Sequence, residues 1–487
     1  MKTRILRELT LYRFRYVFGY GVFFVILTLS MLVLIGTVPG GLSQNEMDSA
    51  VTSMQINPQA INPLNVVDVP FHALQKASIS IFGLTTFAIK LPAILIAIAT
   101  GICLVFMLRK WFRDNVAVVG GLLAVTSIPF LTVGRTGTAV IMTFFWTTLL
   151  LLAASRALHS KSQIASVWKA VGLAAGLALL YSPLGIYPLI ALVISGLLHP
   201  HVRHMFRTTR PLTYGILFVV GALSLAPLII AIIHEPSIAL TLLGIDTSQF
   251  NVSAVLDNMH YLVTLFVNPR GTSTVSGVII PLFGIATLAL IALGILKTFS
   301  ERHSARSYMI FIWLGFLLPI IILNPELPYV IFIPLILLLA IGTETLIREW
   351  YDLFPFNPYA RIGALLPLAI LLGSIMSTNL FRYFYGNIYL PSDVVSYNQL
   401  SSIRQVLERD DVNKSRYLLL VRDNAPFYDL LRRDYPKLDV AEKGAVLEKG
   451  TTVVLTGVDA KPTFAPHRIV TNADADNAKI LDIYTMW

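Results

Sequence analysis

The chain of 487 residues is short of cysteine, of charge and of recognisable catalytic signatures. Its one cysteine, Cys103, lies inside an apolar run, which excludes disulfides and cysteine-ligated metal centres. Charged residues make up 13% of the chain against 55% hydrophobic, where a soluble domain carries about 25% charged residues. A soluble globular protein is therefore excluded. No metal-binding motif, P-loop, nucleophile elbow or dinucleotide-binding glycine fingerprint occurs. Internal repeats and low-complexity tracts are also missing. The long apolar runs are almost free of charge, with Glu344 near one end. Charges inside membrane helices mark ion and substrate pathways, so their scarcity weakens a transporter reading. The lack of two matching halves weakens it further.

The net charge of +10 invites a nucleic-acid reading that its distribution rejects. From Phe381 onward, 14 basic residues balance 14 acidic ones, and the excess lies in the first 380 residues, 23 basic against 13 acidic. Basic residues between apolar runs mark cytoplasmic faces of a membrane protein. No nucleic-acid partner is expected; membrane lipids are.

The run from about Tyr16 to Val38 spans a bilayer, since ~20 apolar residues cover the ~30 Å hydrocarbon core. Lys2, Arg4, Arg7, Arg13 and Arg15 precede it and hold that end in the cytoplasm. Its length, and the lack of a small-residue cleavage site, argue against a removed signal peptide. Further runs at about 91–108, 116–133, 139–154, 170–198 (two helices broken at Tyr181 to Tyr187), 212–233, 277–296, 309–323, 328–347 and 362–377 bring the expectation to about eleven crossings. The segments so placed in the cytoplasm hold nineteen of the Lys and Arg residues before Phe381. The outer loops hold four: Lys76, Lys90, Arg135 and Arg270. An odd number of crossings places the C-terminus outside.

The expected fold class is an α-helical polytopic membrane protein with a small extracytoplasmic α/β C-terminal domain. Residues 1–380 form the membrane domain, with long outer loops at 39–90 and 235–276, and residues 381–487 form the α/β domain. In the latter, the apolar runs 417–421 and 452–456 flank an amphipathic stretch, 426–434, and read as strand–helix–strand. The stretch 70–82 holds His72, Gln75 and Lys76 and reads as a helix lying at the membrane interface. The expected location is the cell membrane.

The candidate chemistry lies just past the first span. Glu46 and Asp48 emerge there, where carboxylates meet the edge of a membrane cavity; as solvated loop residues they would do nothing. Two positions apart, they point apart on a helix and together on a strand. Arg135 is the one charge between Asp114 and Arg156 and sits at an outer helix end. Lys90 reads equally as an anchor whose amine snorkels to the headgroups. For Lys76 and Arg270 the anchor reading leads, and His72 and His260 read as polar loop residues. His199, His201 and His204 fall on a basic cytoplasmic segment that reads as facing lipid headgroups. Gly120, Gly121 and Gly172 read as helix-packing positions.

The order of these parts resembles the GT-C superfamily, multi-span glycosyltransferases such as the protein O-mannosyltransferases and the aminoarabinose transferases. The resemblance is strongest over roughly the first 160 residues. An Asp-Glu pair after the first span is matched by Asn45-Glu46. A Pro-Pro-Leu-Tyr/His segment ending in Phe-Gly is similar to 69–72 and 81–83, and an Arg-Leu-Pro-Ser opening of the next span to Lys90-Leu-Pro-Ala93. A Pro-x-x-Arg-Tyr…Pro pattern resembles Pro325 to Tyr329 with Pro334. Departures are Asn45 for the first acid, Arg135-Thr-Gly-Thr138 where many members carry an Asp, Tyr181-Ser-Pro183 in place of a lysine, and no Arg before Tyr329.

The resemblance implies a sugar donor linked to polyprenyl phosphate and an acceptor hydroxyl on a glycan, lipid or protein at the outer face. Inverting transfer needs a carboxylate to take the acceptor's proton; Glu46 is the first choice and Asp48 the second. Cations would meet the leaving phosphate, with Arg135 and Lys90 foremost and Lys76, Arg270, His72 and Tyr329 in reach of the same region. No cofactor is firmly expected, and a divalent cation is left open. A non-catalytic scaffold on the same fold and, behind it, a flippase for lipid-linked sugar are the competing readings.

Overall fold

The computed structural model describes residues 14–36, 38, 41–56, 66–159, 162–198, 200, 203, 211–245, 252–267, 272–274, 277–279, 282–301, 304–325, 328–353, 358–389, 399–409, 416–421, 424–442, 451–456, 468–471 and 479–485. The first span is α1 (Arg15–Leu32), followed by α2 (Gln44–Gln55) and α3 (Val69–Phe82). Then come α4 (Thr86–Trp111), α5 (Asp114–Val125), α6 (Ile128–Arg135), α7 (Val140–His159), α8 (Ser162–Leu179) and α9 (Ile186–Leu198). The second half of the membrane domain holds α10 (Pro211–His234), α11 (Ser237–Leu243), α12 (Val252–Val267), the short antiparallel pair β1 (Thr272–Thr274) and β2 (Gly277–Ile279), α13 (Ile285–Ser300), α14 (Ala305–Leu323), a 3-10 turn (Pro328–Ile331), α15 (Phe332–Asp352) and α16 (Pro358–Tyr389).

Six of these helices are long and apolar enough to cross a membrane. The bent pair α5 and α6 passes the same test only when taken as one unit, and four shorter apolar helices (within α1, α8, α9 and α13) also occur among the described residues. The helix count is thus roughly the expected one, with three corrections of detail. The run 116–133 is not a straight span: α5 and α6 meet at 59° across Thr126 and Ser127. The break falls where Ser127 starts a new helix with a proline in its first turn, a position at which a missing N–H costs nothing. The run at 277–296 opens as a strand and becomes helical only at Ile285. The last span continues past Phe381 to Tyr389, so the boundary set at residue 380 cuts through a helix.

The α15 helix is the centre of the bundle, with 83% of its apolar window inside the protein, whereas α10 has 11% and presents an apolar face outward. Lipid tails are as apolar as leucine, so helix contact in a membrane rests on close packing rather than on the hydrophobic effect. Gly294 of α13 and Gly342 of α15 show this. A Cβ on either would fall 1.9 Å from a carbonyl oxygen of the other helix, so only glycine lets these backbones meet. Gly120, Gly121 and Gly172 also face neighbouring helices, as expected of packing positions.

The C-terminal domain comprises α17 (Gln399–Arg409), β3 (Arg416–Val421), the one-turn helix α18 (Ala425–Asp429), β4 (Leu438–Glu442), β5 (Thr451–Thr456), β6 (Arg468–Thr471) and β7 (Lys479–Thr485). Its five strands run in the order β4-β3-β5-β7-β6. The β3 strand is parallel to both β4 and β5, and β7 is antiparallel to β5 and β6. Tyr417, Leu419, Leu420 and Val421 are all buried, the pattern of a strand covered on both faces. The expected strands and intervening helix are present, extended to a larger sheet.

This domain shares an apolar core with the segment that follows the first span. Leu42, Met47 and Ala50 around α2, Ile79 and Leu84 at the end of α3, and Ala88 and Ile89 of α4 pack in one cluster with Ile403, Leu407, Tyr417, Phe427, Tyr428 and Leu431. Arg404 adds a polar tie, its Nη1 donating to the Leu84 carbonyl at 2.9 Å. The α3 helix, expected at the membrane interface, buries Phe71, Gln75, Ser78 and Ile79 in contact with α2 and α4.

Candidate active site

Ser43 precedes α2 as its N-cap and Glu46 is the third residue of the helix. The first N–H groups of a helix lack partners, and a glutamate at this position reaches back to supply one. One oxygen of Glu46, Oε2, accepts from the Ser43 amide at 2.7 Å and from the Ser43 hydroxyl at 3.0 Å. The other, Oε1, accepts from the Gly137 amide at 2.7 Å and lies 3.7 Å from Nζ of Lys90. Both charged side chains are fully buried.

The backbone at Gly137 is held from two sides. Its N–H is taken by Glu46, and its carbonyl accepts from Gln75 Nε2 at 2.8 Å. The same Nε2 donates to the Ile89 carbonyl at 3.0 Å, while Gln75 Oε1 accepts from Ser49 and Ser53 at 2.9 and 2.6 Å. A Cβ at position 137 would sit 2.8 Å from Ile89 Cγ2 and 2.9 Å from the Ile89 oxygen, so a glycine is required for this approach. His72 Nδ1 pairs with the Ser53 hydroxyl at 2.8 Å. Burial holds its pKa down to about 4, so the ring is neutral at physiological pH.

Arg135, expected beside a phosphate, is buried at the end of α6 with its guanidinium turned to the C-terminal end of α1. Nη1 donates to the carbonyls of Ser30 and Met31 at 2.6 and 3.1 Å. Nη2 donates to those of Val33 and Val38 at 2.7 and 2.6 Å, and Nε also reaches Val38 at 3.2 Å. A guanidinium has five N–H groups, and all five are taken here. The last carbonyls of a helix lack partners and carry partial negative charge, which a buried cation satisfies. The rings of Tyr383 and Phe384 from α16 flank it, with centroids at 5.8 and 5.1 Å. Arg135 therefore ties the first span to the last.

The remaining expected residues are dispersed. Lys76 donates to the carbonyl of Ile56, the C-cap of α2. Tyr329 sits half-buried in the 3-10 turn before α15. His260 is exposed on α12, and Arg270 lies outside the described residues. Asp48 is exposed, and both its oxygens accept from Gln44 Nε2, at 3.1 and 3.3 Å. Because α2 is a helix, Glu46 and Asp48 face opposite sides of it. Asn45 and Asp48, three residues apart, share its exposed side, about 60° apart around the axis. Among the described residues, no group of three or more His, Cys, Asp or Glu side chains is arranged to hold a metal ion.

Several residues of this region carry no warning in composition. Asp68 is buried in a left-handed conformation (φ 48°) ahead of α3. It accepts from the Ser182 hydroxyl, while its own N–H reaches the Tyr181 carbonyl at 3.0 Å. Burial raises its carboxyl pKa to about 7. Gln75, Gly137 and Asn424 were equally unsignalled. The role of Glu46 did have a signal, since Ser43-x-x-Glu46 has the spacing of a helix cap.

The bundle of apolar helices, the two helices after the first span and the appended α/β domain define a polytopic helical membrane protein. Residues 69–230 match the family described as dolichyl-phosphate-mannose-protein mannosyltransferase. The crystal structure of ArnT from Cupriavidus metallidurans in the apo state superposes with a TM-score of 0.54 at 14% identity, covering 96% of this chain and 97% of that one. The same protein bound to undecaprenyl phosphate gives 0.52 at 13% identity, with the same coverage. The oligosaccharyltransferase of Archaeoglobus fulgidus gives 0.54 at 12% identity, covering 88% of this chain and 65% of that one. No curated protein matches the chain by sequence. The expected resemblance thus holds at the level of the fold over nearly the whole length.

Proposed function

We propose that the protein is a membrane glycosyltransferase that moves a sugar from a polyprenyl-phosphate carrier to an acceptor hydroxyl on the outer face of the membrane, with Asp48 as the general base. The observation that carries the assignment of the base is the division of α2 into two sides. Glu46 has both oxygens committed to Ser43, Gly137 and Lys90. Asp48 is open to an acceptor on the side that also bears Asn45, the position matching the first acid of the GT-C pair. The carboxylate is displaced by three residues, just under one helical turn, and stays on the same exposed side.

In this reading the acceptor oxygen attacks the anomeric carbon and passes its proton to Asp48. The bond from that carbon to the phosphate oxygen breaks with its electron pair, and polyprenyl phosphate departs from the opposite side. Arg270 is the cation proposed to meet the phosphate; Lys90 stays paired with Glu46, and Arg135 serves the helix ends instead. A base positioned within hydrogen-bond reach contributes roughly 10²–10⁴-fold. The test is transfer from labelled polyprenyl-phosphate hexoses and pentoses in proteoliposomes, wild type against Asp48→Asn. Loss of transfer with an intact fold supports the proposal. Transfer that survives removes Asp48 from the chemistry. No transfer from any donor favours the non-catalytic scaffold, and movement of intact donor across the bilayer favours a flippase.

A further inference from the structure

The C-terminal α/β domain reaches the candidate base through one pair of amides. Gln44, the first residue of α2, offers Nε2 to the Asp48 carboxylate at 3.1 and 3.3 Å. The same nitrogen donates to Oδ1 of Asn424, and Nδ2 of Asn424 donates back to Gln44 Oε1. Asn424 also lies 3.7 Å from the Met47 sulfur. A primary amide has two donor hydrogens and one acceptor oxygen. Here one hydrogen of Gln44 faces Asp48, the other faces Asn424, and its oxygen is held by Asn424. Were the Gln44 amide to turn over, its oxygen would oppose the carboxylate. The reciprocal pair holds the Gln44 amide in place, and the carboxylate of Asp48 settles which of its ends is the donor.

Asn424 is placed for this role by its own backbone. It precedes α18 with φ 66°, in the left-handed region, which asparagine tolerates better than most residues. It follows the region where β3 ends, and the C-terminal ends of parallel strands are where α/β sheets carry their sites. The pair rests on the shared apolar core, with Met47 and Ala50 of α2 packed in one cluster with Phe427, Tyr428 and Leu431. The amide bonds are thus built on packed supports.

We infer that Asn424 of the C-terminal domain is a positioning residue that fixes the orientation of Asp48 by way of Gln44, so that the α/β domain completes the active site. This inference rests on the reading of Asp48 as the base. Hydrogen bonds among exposed amides add little to stability. Their consequence is geometric, and misplacing a catalytic group can cost up to about a hundredfold in rate.

The experiment compares Asn424→Gly, Gln44→Ala and the double variant with wild type, using labelled polyprenyl-phosphate sugars in proteoliposomes. Glycine keeps the left-handed backbone and removes only the amide. The expected result is a roughly tenfold or greater fall in kcat for Asn424→Gly, with KM for the donor unchanged. Adding it to Gln44→Ala should cause no further loss, because the two act as one unit. Wild-type kcat in Asn424→Gly, or additive losses in the double variant, overturns the inference. Asp48→Asn separates the two levels. If it abolishes transfer while Asn424→Gly does not slow it, the positioning role alone fails. If Asp48→Asn transfers normally, the base assignment fails and the inference with it.

Discussion

The two sides of α2 carry one carboxylate each and treat them oppositely. On the inner side, Glu46 is fully buried, accepts three hydrogen bonds and faces a buried lysine. On the outer side, Asp48 is exposed and its neighbour is a single amide. A buried charge must be paired and hydrogen-bonded or it destabilises the fold, and the contacts of Glu46 meet that need. An exposed carboxylate contributes little to stability and is free to accept a proton. Two acids two residues apart are thereby placed in different surroundings by helix geometry.

The comparison breaks first at Glu46. Alanine there deprives Lys90 of its carboxylate and leaves the Gly137 amide without its acceptor. Removing one partner of a buried ion pair costs about 3–5 kcal/mol. A large drop in thermal stability in detergent is expected, partly reversed when Lys90→Met is added, because the double variant buries no lone charge. A Glu46→Ala protein that keeps wild-type stability would show that the inner side is not the structural one.

Gly137→Ala sharpens the same contrast from the opposite direction. The added methyl meets Ile89 at 2.8–2.9 Å, and overpacking of this kind costs about 1–3 kcal/mol. Loss of stability in a chain whose Glu46 is untouched would show that the inner cage acts as a unit. A neutral outcome would mean that the loop relaxes.

The Asp68 carboxyl has a pKa of about 7 in the fold against an ordinary 3.8. The folded state therefore holds a proton that the unfolded state gives up, and stability falls as pH rises from about 4 through about 7. Replacing Asp68 with Asn, which stays neutral, should flatten that part of the profile, read as the difference in melting temperature between pH 5 and pH 8. His72 acts in the opposite sense: its ring is held neutral down to about pH 4 against an ordinary 6.5. Stability should therefore fall as pH drops through that interval, and His72→Gln should remove the fall. An unchanged slope in both variants would place these groups in water.

Hydropathy and the distribution of arginine and lysine made the spans legible, because apolar length is a local property. The bend between α5 and α6 was not read, since both halves are equally apolar; the proline at position 129 was its one sign. The strand at Gly277–Ile279 was lost in a run that is apolar throughout. Arg135 stood out as a lone charge and was assigned an anion. Its partners are main-chain carbonyls about a hundred residues away, and a sequence does not display them. The contacts of Glu46 with Gly137 and of Gln44 with Asn424 span 91 and 380 residues. Only its bond to Ser43 was within reach of local reasoning. What the sequence did supply was the short list of carboxylates just past the first span, and the helix geometry then separated them.

The most direct test of the central claim is transfer by Asp48→Asn in proteoliposomes supplied with labelled polyprenyl-phosphate sugars, with melting temperature followed in parallel. The account predicts a rate lowered roughly 10²–10⁴-fold at an unchanged melting temperature. Transfer at the wild-type rate would contradict it, and the outer side of α2 would then not be where the proton goes.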